Sequence, residues 1–223
     1  MGAPLVGHER LANSRNIARA VEIQEGLLNA KFRAVMPLEI GGGNSIQPLM
    51  AGARLGLPVV DADTMGRAYP EVQMTSVAVG ELRPHPCVLY DPRDIEAVVT
   101  KVPSWRWMER VSRKICVELG SIASTCKAPR TGREVKDWGI HFMVSKAITL
   151  GRRVREAQRR HDDPVAAILD EGKGKLLFCG KVIDVARRTT EGYLRGRVTI
   201  EGLDEDRGSR RRSRIAAGTC ISE

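Results

Sequence analysis

The chain has 223 residues, of which 42% are hydrophobic and only 4% aromatic, and it carries a formal net charge of +9. That length can bury a core built on Val, Ile, Leu, Ala and Met in one or two domains. The longest uncharged run, Ile40 to Ala53, is 14 residues and holds Asn44, Gln47 and Pro48, too short and polar to span a bilayer, and the opening MGAPLVGHER has no signal-like apolar core; no membrane association and a cytoplasmic location are expected.

Asn13 or Ser14 can cap a first helix reaching about Ala30, with Ile17, Ala20, Val21, Gln24, Leu27 and Leu28 at helical spacing. FRAVMPLEI then reads as a buried strand, GNSIQPLMAGARLG as a short helix closed by Gly56, and LPVVDAD as a second buried strand. Strand, helix, strand predicts a parallel βαβ unit over Phe32 to Gly80, with Glu39, Asn44, Asp61 and Asp63 on one rim of the sheet. PCVLYDP predicts a third strand. PSWRWMERVSRKICVELGS predicts a helix with Trp107, Val111 and Ile115 on one face.

Residues 131 to 172 read as two or three helices. Thr131 with Glu134 forms a capping-box pattern, VSKAITLGRRVREAQRR is amphipathic, and DDPVAAILDEG has acidic caps, Pro164 in its first turn and Gly172 at its stop. From Lys175 the period shifts towards two, and KLLFCGKVIDVARRT and GYLRGRVTIEG predict a hairpin turning at Thr190 to Gly192. The predicted class is therefore α/β: an N-terminal domain with a parallel sheet and a helical middle over 1–174, and the start of a β-rich domain over 175–206.

The charge is unevenly placed. Residues 207–223, RGSRRRSRIAAGTCISE, supply +4 of the +9, and the basic residues of GRRVREAQRR fall on the solvent face of a helix, interrupted by Glu156. This pattern argues against a nucleic-acid partner. The tail is too poor in apolar residues to fold, so 207–223 are expected to be disordered. The hairpin before it would then keep an open edge, which invites pairing with another copy of the chain.

The five cysteines, Cys87, Cys116, Cys126, Cys179 and Cys220, are scattered without a C-x-x-C pair, which argues for free thiols rather than disulfides or cysteine-bound zinc. Cys126 and Cys179 have no visible paired base. His8, His85, His141 and His161 lack metal-ligand spacing.

Polar residues gather at the two expected strand ends. Asp61 and Asp63, two apart on an extended backbone, would point to one face, where two carboxylates can bind a divalent cation or split acid and base roles. Alternatively Asp61 caps a turn while Asp63 pairs with Arg67. Glu39, ahead of three glycines, could act as a base or hydrogen-bond a ring N–H; it could equally hold neighbouring backbone amides. GGGNS lacks the pattern of a nucleotide loop, and Asn44 or Ser45 reads as the cap of the next helix, leaving amides for an anionic group. Arg67 could clamp a carboxylate, and Glu71 could complete an acid or metal site.

Together, MPLEIGGGNSIQPLMAGARLGLPVVDADTMGRAYPEVQM, TGREVKDWGI and GKVIDVARRTTEGYLRGRVTIEGL resemble a family of proteins encoded beside or fused to hydantoinase/oxoprolinase subunits, whose domains carry the label S-methyl-thiohydantoin desulfurase. The resemblance covers residues 1 to 206. It implies a two-domain α/β protein acting on a hydantoin-like ring: water attacks the C–S carbon of an S-methylated thiohydantoin, methanethiol leaves and a hydantoin remains. On this basis Glu39, Asp61 and Asp63 are the candidate catalytic residues, and Asn44, Ser45, Arg67 and Glu71 the candidate substrate-binding residues. The small molecule is the expected substrate, and a hydantoinase/oxoprolinase subunit is an expected partner. Members of that family begin with a further glycine-rich segment and continue past IEGL into a larger β-domain. A truncated member is accordingly expected here.

Overall fold

The computed structural model describes residues 1–2, 6, 13–190, 193–216 and 219–222. Helix α1 (Ser14–Leu28) starts where the Asn13 side chain accepts from the Arg15 amide at 2.9 Å, and it stops at Asn29, whose φ of 47° is left-handed. Its inner face carries Ala18, Ala20, Val21 and Gln24. Gln24 Nε2 donates to the Pro86 and Lys127 carbonyls, tying the helix to the sheet beneath it.

That sheet is antiparallel. Its centre is β2 (Cys87–Asp91), flanked by β3 (Ile95–Val99) and β4 (Ser124–Cys126). Cys87, Val88 and Leu89 are wholly inaccessible because α1 packs on the sheet and α4 (Trp105–Glu118) on β2 and β3. Cys87, Leu89 and Val99 form the main core with Trp105, Met108 and Cys116 of α4 and with Val72 and Val77. The buried face of α4 is Trp105, Met108, Glu109, Ser112 and Cys116, and of the expected stripe Val111 and Ile115 pack partly buried against the core. Trp107 is 47% exposed and lies under the Arg110 guanidinium at 4.7 Å.

The predicted parallel sheet is also corrected: every sheet among the described residues is antiparallel. The strand, helix, strand path does exist, through α2 (Gln47–Leu55), which ends at Gly56 with φ 67°. Its parallel pairing is a single bridge, Val35 to Val59, held by Val35 N→Pro58 O and Val60 N→Val35 O. Two prolines explain the brevity. Pro37 and Pro58 each remove a ladder donor within two residues of the bridge. Gly52 lets α2 lie against this bridge, since a Cβ there would fall 2.7 Å from the Leu57 carbonyl oxygen and 2.9 Å from the Val59 side chain.

Downstream, β1 (Ala62–Asp63) pairs antiparallel with β5 (Ile140–His141). A 3-10 turn at Val72–Met74 and the short α3 (Ser76–Val79) lead back to β2. The helical middle consists of α5 (Gly132–Trp138), with the full Thr131/Glu134 capping box, α6 (Met143–Arg160) and α7 (Pro164–Gly172), capped by Asp163.

The hairpin expected after Lys175 is β6 (Gly180–Thr190) with β7 (Tyr193–Gly202); its turn at 191–192 lies outside the described residues. The expected disordered tail is corrected. β8 (Arg210–Ala216) pairs with β7 from Glu201↔Arg210 to Arg195↔Ala216, and β9 (Thr219–Ser222) pairs with β8, giving an antiparallel meander. The open edge of β7 organises the arginine-rich segment through backbone bonds, a tertiary effect that side-chain pattern does not reveal. No helix among the described residues is long and apolar enough to cross a membrane.

Candidate active site

Glu39 is 5% exposed and ends the segment that follows the parallel bridge. Its carboxylate turns back to accept from the Gly41 amide and from Asn44 Nδ2, the latter at 2.5 Å. A Cβ at Gly41 would sit on the carboxylate, 2.9 Å from its Oε1, so that any other residue there would push the Glu39 side chain aside. Asn44 is therefore spent on Glu39, and Ser45 donates its amide to the Gly41 carbonyl, so neither caps α2. The start of α2 is fixed instead by Pro48 in its first turn.

Asp61 and Asp63 part company. Ala62 N bonds to the Val60 carbonyl at 2.9 Å, a tight turn centred on Asp61 that ends the extended backbone on which a shared face depends. Asp61 reaches outward to α6, where Ser145 donates both its amide (3.0 Å) and its hydroxyl (2.6 Å) to the carboxylate. Those bonds hold the Asp61 carboxyl below its ordinary value. Asp63 turns inward and is wholly buried, accepting from the amides of Gly66 (2.8 Å) and Met65 (3.2 Å), with Ile40 contributing a third. Burial pushes its carboxyl up, and the three amides pull against that shift. One carboxyl is thus biased towards the charged form and its neighbour towards the neutral one.

From Asp63 the chain makes a closed loop. Thr64 N and Oγ1 bond to the Leu38 carbonyl, and Ser76 N returns to the Thr64 carbonyl at 2.8 Å. Arg67 is exposed and donates to the Ala68 carbonyl, while Glu71 accepts from Gln73 Nε2 at 2.7 Å. Tyr69 is packed against the core. Burial raises its hydroxyl well above the ordinary value; the charges of Glu39, Glu109 and Asp63 add to the shift, and Arg113 opposes it. One phenol therefore feels three carboxylates that belong to separate elements.

Two of these contributors were not anticipated. Glu109 of α4 is 3% exposed, accepts from the Val72 amide at 3.0 Å and pairs with Arg113 at 2.6 Å. Arg113 also donates to the Pro70 carbonyl. At i, i+4 on a helix such a pair reads as a surface ion pair. The available signal was phase: Met108 and Ser112 place Glu109 on the inner stripe.

The site thus gathers Glu39, Asn44, Asp63, Tyr69, Glu71, Gln73 and the Glu109–Arg113 pair around one closed loop, with Asp61 turned towards α6. Among the described residues no group of three His, Cys, Asp or Glu side chains has a metal-holding arrangement. His8 lies outside the described residues, and His141 bonds to the Val135 carbonyl. Cys126 is an unsuitable nucleophile because burial drives its thiol up to about 12.

Models of the S-Me-THD-like N-terminal and C-terminal domains match residues 1–101 and 103–217 respectively. The match runs past residue 206 and includes β8. The two segments meet just before α4, earlier than the division at 174 read from the sequence. No curated protein matches the chain. An X-ray crystal structure of a protein from Chromobacterium violaceum superposes with a TM-score of 0.73 at 21% identity, over 96% of this chain and 57% of that one. The likeness is one of fold, and the chain spans little more than half the length of that structure.

Proposed function

The chain belongs to the S-Me-THD-like family, and from that premise we propose that it is a hydrolase acting on a small cyclic amide of the hydantoin type. The observation that carries the reading is the gathering of buried carboxylates, Glu39, Asp63 and Glu109, around the Tyr69 loop. Burying charge without purpose is costly, and carboxyls gathered in one buried place, with burial pushing that of Asp63 up, mark sites of proton transfer.

For an S-methylated thiohydantoin the step balances simply. Glu39 takes a proton from water as its oxygen attacks the carbon bearing sulfur. Asp63, whose carboxyl burial pushes up, supplies a proton to sulfur as the C–S bond breaks; the remaining proton of the attacking oxygen passes to the ring nitrogen as the carbonyl forms, methanethiol leaves, and the proton held by Glu39 returns to Asp63 through solvent. Ser45, Arg67 and Glu71 are the substrate contacts in this reading, while Asn44 holds the Glu39 carboxylate in place. Asp61, engaged with Ser145, keeps the Asp63 strand in place rather than handling protons.

The test is thiol release from an S-methyl thiohydantoin by the purified full chain, followed with a chromogenic disulfide. Release that disappears in Glu39→Gln is expected; no release, or release unchanged in that variant, would sink the reading. A second reading, a non-catalytic subunit of a hydantoinase-like complex, is favoured by the apolar side chains of Leu176, Leu177, Val182 and Val185, of which Val182 is 52% exposed. Turnover by the chain alone separates the two.

A further inference from the structure

Gln73 has a carbonyl that its surroundings leave unsatisfied. Its Nε2 donates to Glu71 Oε2 at 2.7 Å, while its Oε1 is buried without a hydrogen-bond partner. The orientation is dictated chemically: an ionised carboxylate only accepts, so the amide nitrogen must face Glu71 and the oxygen must face away. The backbone beneath is equally fixed, because the Val72 amide is held by Glu109 and the Val72 carbonyl by Thr75 Oγ1. A buried acceptor held rigidly without a donor is a standing demand for one. The other orphan, Gln24 Oε1, belongs to a fully inaccessible side chain between α1 and the sheet. Gln73 differs in being partly exposed, on the loop that also carries Tyr69 and Glu71.

We propose that Gln73 Oε1 is the acceptor for a ring N–H of the substrate, and that it selects cyclic amides with a free N–H over their N-alkylated counterparts. This inference rests on the cyclic-amide reading above. It adds the group that reads the ring, and it leaves the carboxylates free for proton transfer.

The experiment titrates the full chain with hydantoin and with 1,3-dimethylhydantoin, following heat or ligand NMR, and repeats both titrations on Gln73→Met, which keeps the length and removes the acceptor. The wild-type chain is expected to bind hydantoin at least about tenfold more tightly than the dimethyl ring, the worth of one well-made hydrogen bond. Gln73→Met should lose that margin by weakening hydantoin alone. The two single N-methyl isomers, titrated on the wild-type chain, report which ring nitrogen is read and need no variant to fold. Equal wild-type affinity for hydantoin and its dimethyl form, or undiminished hydantoin binding by Gln73→Met, overturns the Gln73 assignment and leaves the hydrolase reading standing. Failure of the wild-type chain to bind any of these rings counts against the cyclic-amide reading itself and takes this assignment with it.

Discussion

Asp61 and Ser145 stand 84 positions apart in the chain and meet in a two-point contact, amide to Oδ1 at 3.0 Å and hydroxyl to Oδ2 at 2.6 Å. The contact satisfies an otherwise open amide at the start of α6, the work that a capping residue usually does from next door. The Phe142 amide, donating to the Asp61 carbonyl at 2.8 Å, doubles the attachment.

This contact should respond to pH in a defined direction. Because Ser145 lowers the Asp61 carboxyl below 3.8, its contribution is present above that pH and is lost as pH falls through the folded-state value. Asp61→Asn should cost about 1 kcal/mol at pH 7, the usual worth of a cap. Urea unfolding at pH 7 and pH 3 checks it. The gap between wild type and variant should shrink at pH 3, and an unchanged gap would show that the charge of Asp61 is immaterial.

Gly41 and Gly42 give a matched pair of substitutions. A Cβ on Gly41 would displace the Glu39 carboxylate, whereas one on Gly42 meets nothing. Thiol release should fall by about 100-fold or more in Gly41→Ala, as expected when a proton-transfer group is misplaced. Gly42→Ala should stay within a few-fold of wild type. Equal effects from the two alanines would detach Glu39 from the chemistry.

Gly80 lies directly beneath the Trp138 ring, so that an added methyl would run into the indole. Gly80→Ala should destabilise the fold by about 1–3 kcal/mol through overpacking. Thermal unfolding of Gly80→Ala, Trp138→Leu and the double variant is the check. The double variant should be more stable than the sum of the single changes implies, since the clash requires both groups.

Native alkylation separates the thiols. With its thiol driven up to about 12, Cys126 should remain unmodified by iodoacetamide at pH 8.5, whereas the exposed Cys179 reacts first. Peptide mass spectrometry reads each site. Early modification of Cys126 would return it to consideration as a nucleophile.

Hydrogen exchange addresses the arginine-rich segment. Paired with β7 along its length and with β9 from Ser213 onward, β8 should exchange its amides from Arg210 to Ile215 slowly in a monomer. Exchange at the rate of free peptide would restore the expectation of a disordered tail.

Much of this was legible in the residues. Asn13, Gly56, Thr131 with Glu134 and Asp163 mark helix ends through local chemistry, and each occupies the role its type suggests. The sheet was misread because apolar runs broken by Pro37 and Pro58 look like buried strands but cannot extend a ladder. Strand β8 was missed for the opposite reason: Arg210, Arg211 and Arg212 show no alternation, and their pairing depends on a neighbour formed elsewhere. At the candidate site, Glu39 and Asn44 were named from one turn and do meet in it. The separation of Asp61 from Asp63 depended on Ser145, and the place of Glu109 depended on which face of α4 met the core, facts of tertiary packing that spacing alone does not encode.

The seam between β1 and β5 joins the two matched segments. Ala62 and Asp63 come from the segment matched by one family model, His141, Ile140 and Ser145 from the segment matched by the other, and β4 of the second completes the sheet begun by β2 and β3 of the first. A gene split at this junction would yield two products, each with an unsatisfied strand and one with an orphaned aspartate. The two segments are therefore complete only together: a substitution at Ser145 is answerable to Asp61, and joining one segment to a foreign partner would have to rebuild the hydrogen bonds that cross the seam.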